Sequence, residues 1–206
     1  MPIDPTIAAD VFGKVCERAS CTEERRRTLE EVIELAVEIA REGREGRKIG
    51  TLFVVGDADD VLLRSRPLIL DPLFGHPPER LRLERADFRE TVKELAQLDG
   101  AFLVADDGTF VSAGRYVDVE LSLEAGFVSG LGTRHAAAAS ITAATGAVAV
   151  VVSQSSVVRV YAGGAVQAEI IPELFLMSRE RLFAARAEVE QVPEIGLTLA
   201  LARDGS

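Results

Sequence analysis

The sequence predicts a β-sheet covered by helices, a mixed α/β or α+β fold, and three observations carry this. Segments with apolar residues at helical spacing are interspersed with short runs rich in Val, Ile and Phe, the pattern of helices packing on a sheet. The stretch "GAFLVADDGTFVSAGRYV" places two apolar runs around Asp106, Asp107 and Gly108, a hairpin signal, so part of the sheet is antiparallel. An alanine run then leads directly into "AVAVVVS" and "SVVRVYAGG", a helix followed by two β-branched strands.

Taken in order, Ile7, Val11, Phe12 and Val15 predict a first helix over residues 6–19. Ser20 with Glu23 reads as a capping box for a second, in which Leu29, Val32, Ile33, Ala36, Ile39 and Ala40 form one apolar face and Gly43 with Gly46 ends it. "KIGTLFVVGD" contains a buried strand over 50–55. Residues 57–85 are proline-rich and show no clean period, so no regular element is expected there. Asp87 and Glu90 suit the start of a short helix with Phe88, Val92 and Leu95 on one face. After the hairpin, a glycine-rich connection enters the alanine helix, which is expected to end near Gly146 in a left-handed residue. "AVAVVVS" and "SVVRVYAGG" follow as strands, "AVQAEII" continues them, and the tail after Pro172 suggests a helix over 179–190 and a last strand.

A chain of 206 residues, 48% hydrophobic and 27% charged, is long enough to bury a core and has the composition of a folded domain. Its 23 basic and 33 acidic residues give a net charge of −10, which disfavours an extended contact with nucleic acid or with an anionic membrane. Any phosphate site is therefore expected to be local. The beginning lacks a basic segment followed by an apolar core, and the longest uncharged stretch is alanine-rich and divided by Ser140, Thr142, Thr145 and Gly146. No membrane span is expected, and a cytoplasmic location is. Cys16 and Cys21 have no second pair to complete a zinc site and read as packing thiols.

Two short stretches suit chemistry. In "GLGTRHAAAAS", residues 130–140, a helix starting near Arg134 offers backbone N–H groups without intrahelical acceptors and a dipole favouring anions. Gly130 and Gly132 permit close approach, Thr133 adds a hydroxyl, Arg134 a planar fork suited to phosphate, and His135 a further donor. The plainer alternative makes Thr133 a cap, Arg134 a solvated charge and His135 a packed surface imidazole. In "LDGAF", residues 98–102, a carboxylate at the mouth of a strand precedes two small residues, an arrangement able to hold a divalent ion, though an isolated Asp-Gly is also an ordinary turn. His76, in "FGHPPE", has no second ligand nearby. No nucleophile elbow, Walker loop or dinucleotide fingerprint is present.

Together, Asp99, Gly100 and Ala101 followed some thirty residues later by Gly132, Thr133, Arg134 and His135 resemble the paired motifs of the diadenylate cyclase domain family. The resemblance extends through "KIGTLFVVGD", "VSAGRYVDVELS" and "VVVSQSSVVRVYAGG", roughly residues 22–168. It implies a central mixed sheet surrounded by helices, with an N-terminal helical extension over 1–21, a catalytic domain over 22–170 and an appendage over 171–206. It also implies ATP as substrate. Two ATP molecules, one per protomer of a homo-oligomer, meet face to face in an active dimer, and each 3′-hydroxyl attacks the other α-phosphate to give cyclic di-AMP and two pyrophosphates. By the same resemblance Asp99 binds Mg²⁺ or Mn²⁺, while Arg134 and His135 clamp the triphosphate. Gly132 and Thr133 line the turn, Gly100 and Ala101 allow close approach, Val117 packs on adenine, and Ser153 and Gln154 border the nucleotide. The chain departs from the pattern at Ala136, where many members carry a second Arg, and has Gln154 where some branches carry Glu. Ala136 motivates the alternative of an ATP- or cyclic di-AMP-binding regulatory domain without turnover; a different metal-dependent nucleotidyl or phosphohydrolase enzyme is a third reading.

Overall fold

The computed structural model describes Cys16 and residues 21–118, 132–179, 187–192 and 197–202. Seven strands form one mixed sheet: β1 (Thr51–Val55), β2 (Ser65–Pro67), β3 (Ala101–Val104), β4 (Phe110–Val117), β5 (Val148–Val152), β6 (Val158–Ala162) and β7 (Ala165–Ile170). Their order across the sheet is β2-β4-β3-β1-β5-β6-β7. Only β1 and β3 run parallel; the other neighbours are antiparallel. All five residues of β1 and of β5 are buried because helices cover both faces, which is why these strands read as continuous apolar runs.

One face is covered by α1 (Glu23–Glu42), whose Leu29, Val32, Ile33 and Ala36 pack over Phe53, Val55, Val148 and Val150. Phe53 stacks on Phe102 at 5.1 Å between ring centroids, and Phe110 meets Phe88 edge-on at 5.2 Å. Phe88 comes from α3 (Ala86–Leu95), the helix that follows a short α2 (Ala58–Leu63). The opposite face is covered by α4 (Thr133–Ala144), with Ala138 and Ile141 against Leu52, Val54 and Val151. Phe175 of a further helix, α5 (Pro172–Arg179), packs on the α1 side of the core. A separate hairpin pairs β8 (Ala187–Val192) with β9 (Leu197–Ala202).

Several expectations are corrected. The N-cap of α1 is Thr22, whose side chain accepts from the Arg25 N–H, so the expected Ser20–Glu23 box is displaced by two residues. Residues 57–85, expected to be irregular, contain α2, β2 and a 3₁₀ turn at Pro78–Arg80. Arg85 is the N-cap of α3, and Asp87 lies in its first turn, where its carboxylate answers the helix dipole. The alanine helix ends at Thr145 in extended backbone, without a left-handed Gly146. In the tail, the expected helix over 179–190 is replaced by α5 ending at Arg179 and by β8 from Ala187. Apart from Cys16, the first predicted helix lies outside the described residues, as does the connection over 119–131 that includes Gly130. Among the described residues no helix is long and apolar enough to cross a membrane.

The two ends of the sheet do different work. At the ends of β1 and β3, Arg25 of α1 is buried beneath Gly56, hydrogen-bonding both carboxylate oxygens of Asp106 and, through Nη1, the Gly146 carbonyl at 2.8 Å. Thr28 donates to the Asp106 carbonyl at 2.6 Å, and the Gly146 N–H donates to Asp57 at 2.6 Å. One guanidinium thus ties α1 to the hairpin turn and to the start of β5. The starts of β1 and β3 carry the candidate site.

A second ionic lattice joins α1 to α3. Glu38 accepts from Lys93 Nζ at 2.9 Å and from Arg89 Nη2 at 3.0 Å, and the Lys93 side chain is itself almost fully buried. Burial alone would raise the Glu38 carboxyl, but the Lys93 and Arg89 contacts outweigh it and hold the group below its ordinary 4.5. A carboxyl depressed on folding contributes stability that is complete above about pH 4.5 and is lost as pH falls through the lower folded value. Glu38→Gln is therefore expected to lower the melting temperature at neutral pH, with the deficit shrinking as pH drops below 4.5. Thermal unfolding of both proteins from pH 3 to pH 7 checks this; a pH-independent deficit would contradict it.

Candidate active site

Because β1 and β3 are parallel, the residues preceding them, Gly50 and Asp99, emerge at the same end of the sheet. Because β5 is antiparallel to β1, its exit, Ser153 and Gln154, lies at that end too. The start of α4 completes the group. Arg134 extends from its first turn so that Nη2 donates to Asp99 Oδ1 at 3.0 Å, joining residues 35 apart in sequence. The Asp99 side chain is 81% exposed and that of Arg134 32%, so the pair is open to an incoming ligand. A Cβ at Gly50 would lie 3.1 Å from Arg134 Nη1 and 3.4 Å from Gln154 Cγ. Gly50, Arg134 and Gln154 are thus packed together, and a side chain at position 50 would push the guanidinium aside.

Asp99 is held in place from below. Gly100 has φ +107°, a conformation that disfavours side chains, and a Cβ there would come within 2.6 Å of the Gly114 backbone on the adjacent strand. Gly114, also at positive φ, leaves the space that Ile69 fills. The backbones of β3 and β4 can therefore approach closely beside the carboxylate, with a register shift between Ala101 and Leu103. Ala101 opens β3, buried opposite Arg115. Val117 closes β4 at the same end, buried and paired with Ser65.

Gly132 is the N-cap of α4 and makes no side-chain cap; Thr133 is the first helical residue, and both are exposed. The His135 N–H bonds the Gly132 carbonyl at 3.0 Å, which leaves the amides of Thr133 and Arg134 without an intrahelical acceptor. His135 itself is buried, its Nδ1 2.9 Å from the Tyr161 hydroxyl. Burial, reinforced by Arg159, holds the imidazole below its ordinary pKa, so it is neutral at physiological pH. The plainer reading of this stretch departs from the structure at Thr133, which is not the cap, at Arg134, which is paired, and at His135, which is buried away from the surface and has a polar partner.

The structure brings together Asp99, Arg134 and Gln154, sets His135 on the turn after Arg134, and places Gly100, Ala101 and Val117 by register at the same end. Ser153 also lies there, but its hydroxyl closes the β5–β6 turn, bonding Ser155 Oγ at 2.7 Å and the Val157 carbonyl at 3.0 Å. His76 sits in an exposed loop. Sequence reasoning missed Gly50, which looks like any residue preceding a strand, and Tyr161, whose signal was a lone tyrosine in the strand Val158–Ala162.

Residues 38–166 match the family model described as DisA bacterial checkpoint controller nucleotide-binding. The chain belongs to the diadenylate cyclase domain family. The domain is 47% identical over 151 residues to the diadenylate cyclase of Methanocaldococcus jannaschii, an alignment covering 73% of this chain and 47% of that protein. It is 40% identical over 155 residues to the diadenylate cyclase of Haloferax volcanii, covering 71% and 54%. This diadenylate cyclase domain chain thus spans about half the length of the curated relatives it matches. A crystal structure of a double mutant of DacA from Staphylococcus aureus is 19% identical, with a TM-score of 0.49 over 78% of this chain and 99% of that one.

Asp99 is the candidate metal ligand. Among the described residues no group of three or more His, Cys, Asp or Glu is placed to enclose an ion. One accessible carboxylate suits Mg²⁺ or Mn²⁺ arriving with a nucleotide, since such ions keep most of their shell from water and phosphate oxygens.

Proposed function

We propose that this chain is a diadenylate cyclase, which condenses two ATP molecules into cyclic di-AMP and two pyrophosphates. The observation that supports it most is the 3.0 Å contact between Arg134 and Asp99, which unites the two family motifs at one end of the sheet. In the proposed reaction the 3′-oxygen of one ATP forms a bond to the α-phosphorus of the other. The bond from that phosphorus to the bridging oxygen breaks, pyrophosphate leaves, and the hydroxyl proton passes to solvent. A second, reciprocal step closes the ring.

Each copy supplies one triphosphate grip. The amides of Thr133 and Arg134 and the Arg134 guanidinium bind phosphate oxygens, and the Asp99 carboxylate is released from Arg134 to hold the cation. Asp99 would hold Mg²⁺ or Mn²⁺, whose positive charge would offset charge on the leaving pyrophosphate. Gly100 and Ala101 keep side-chain bulk away from the phosphates, Ser153 and Gln154 border the nucleotide, and adenine would meet Val117 only if that buried side chain were uncovered on binding. Since the attacking hydroxyl must come from a second nucleotide, the active form is a face-to-face homodimer. With ATP as substrate, the working location is cytoplasmic.

Purified chain incubated with ATP and Mn²⁺ should yield cyclic di-AMP and pyrophosphate in a 1:2 ratio; release of AMP or ADP, or unchanged ATP, would overturn the reading. Arg134→Ala is expected to raise the KM for ATP roughly 10- to 100-fold, the weight of a charge-assisted hydrogen bond to phosphate. Its effect on the melting temperature should stay within a few degrees, because the pair with Asp99 is solvent-exposed. Steady-state kinetics alongside thermal unfolding separates the two.

A further inference from the structure

Tyr161 lies on β6, opposite Ala149 of β5, and points to the sheet face that α4 covers. It is 3% exposed, and its hydroxyl contacts His135 Nδ1 at 2.9 Å. Two arrangements share this geometry: the phenol donates to a bare Nδ1, or an Nδ1–H donates to the phenol oxygen. Only the first gives the phenol proton an acceptor, and it leaves the imidazole N–H on Nε2 for a partner outside the described residues. A neutral imidazole has one N–H and one lone pair, and a tyrosine hydroxyl has one proton to give. If Nδ1 carried the proton, the buried phenol O–H would have no acceptor among the described residues. A buried donor without a partner is the costlier defect.

The groups around the pair favour neutral forms. Burial and Arg159 hold His135 down, Glu169 opposes them, and Arg134 on the same helix adds to the lowering. Burial raises the Tyr161 hydroxyl, so it remains protonated and able to donate. With Nδ1 engaged, the nitrogen left for a ligand is Nε2, in its N–H form. Phosphate oxygens accept hydrogen bonds and give none, so this tautomer is the one that complements them.

We infer that Tyr161 is a positioning residue: by donating to His135 Nδ1 it fixes the Nε2–H tautomer and presents a neutral hydrogen-bond donor at the first turn of α4. This rests on the reading of that turn as a triphosphate site. It adds to that reading a residue on a different strand that acts only through His135.

The chain has two histidines, so long-range ¹H–¹⁵N correlation spectra of the nucleotide-free protein, assigned with a His76→Gln variant, report His135 directly. The expected result is a lone-pair Nδ1 and a protonated Nε2 in the native protein. Tyr161→Phe, which preserves ring and volume, should shift His135 toward the Nδ1–H form. It should also weaken binding of a non-hydrolysable ATP analogue about fivefold, the weight of one hydrogen bond, with unfolding still cooperative. An Nδ1–H tautomer in the native protein overturns the inference, and so does a Tyr161→Phe variant with unchanged tautomer balance and unchanged nucleotide affinity. Failure of the cyclase reading looks different: nucleotide binding and the tautomer shift would persist while no cyclic di-AMP formed.

Discussion

Asp99→Asn is expected to lower cyclic di-AMP formation roughly 100- to 1,000-fold while leaving the fold intact. The substitution keeps the size and one oxygen of the side chain and removes only the charge. Structure has little stake in that charge: the side chain is 81% exposed, and its contact is a surface ion pair with Arg134. Such pairs contribute about 0–1 kcal/mol, so the melting temperature should move by no more than about 4 °C in a chain of this length. Catalysis has a large stake, since in the proposed mechanism this carboxylate holds the cation. Turnover with Mn²⁺ and Mg²⁺, measured beside thermal unfolding, checks both halves. Near-native turnover would remove Asp99 from the reaction, and a collapsed melting temperature would make it structural.

The largest stability effect should come from the opposite end of the sheet. Arg25→Ala removes a buried guanidinium that bonds the Asp106 carboxylate and the Gly146 carbonyl. It leaves Asp106 without its counter-charge and opens a void under Gly56, where a Cβ would lie 2.4 Å from Arg25 Nε. Breaking a fully buried pair costs about 3–5 kcal/mol. Asp106 retains 37% exposure, so water recovers part of this, and a loss of about 2–3 kcal/mol is expected. That corresponds to a melting temperature lower by roughly 5–10 °C. Activity per folded molecule should be retained, because Arg25 and the nucleotide site occupy opposite ends of the strands. A fall in specific activity without a fall in stability would contradict this division.

How far the sequence could be read depended on whether local or distant contacts decide each segment. β1, β3 and β5 were legible because burial on both faces leaves uninterrupted apolar runs, and the β3–β4 hairpin because Asp106-Asp107-Gly108 marks a turn by its own chemistry. Residues 57–85 were not, because remote groups organise them. The Leu68 N–H bonds Gly114, while Asp71 accepts from Ser112 and from the Ala113 N–H, all on β4. Arg115 then pins Ser65 and Leu62 by three hydrogen bonds. The end of α4 was misread for a related reason: Gly146 serves Arg25 and Asp57 through its backbone and needs no left-handed turn. The tail was misread because the pairing of β8 with β9 joins two segments that no local pattern over 179–190 announces.

At the site the residue types were legible locally, while their meeting was an expectation of the family resemblance alone. Asp99 and Arg134 each suit phosphate or metal chemistry locally, but their 3.0 Å contact depends on β1 and β3 running parallel and on α4 beginning at the end of the sheet where those strands start. Ser153 shows the reverse, a polar residue at the right end of a strand whose hydroxyl is spent on its own turn.

The claim on which the rest depends is that Asp99 and the first turn of α4 hold the same nucleotide. It is tested most directly by a crystal structure with Mn²⁺ and a non-hydrolysable ATP analogue, with the metal located by its anomalous scattering. The account predicts Mn²⁺ against the Asp99 carboxylate and the triphosphate on the amides of Thr133 and Arg134. Nucleotide bound elsewhere, with Arg134 still paired to Asp99, would contradict it.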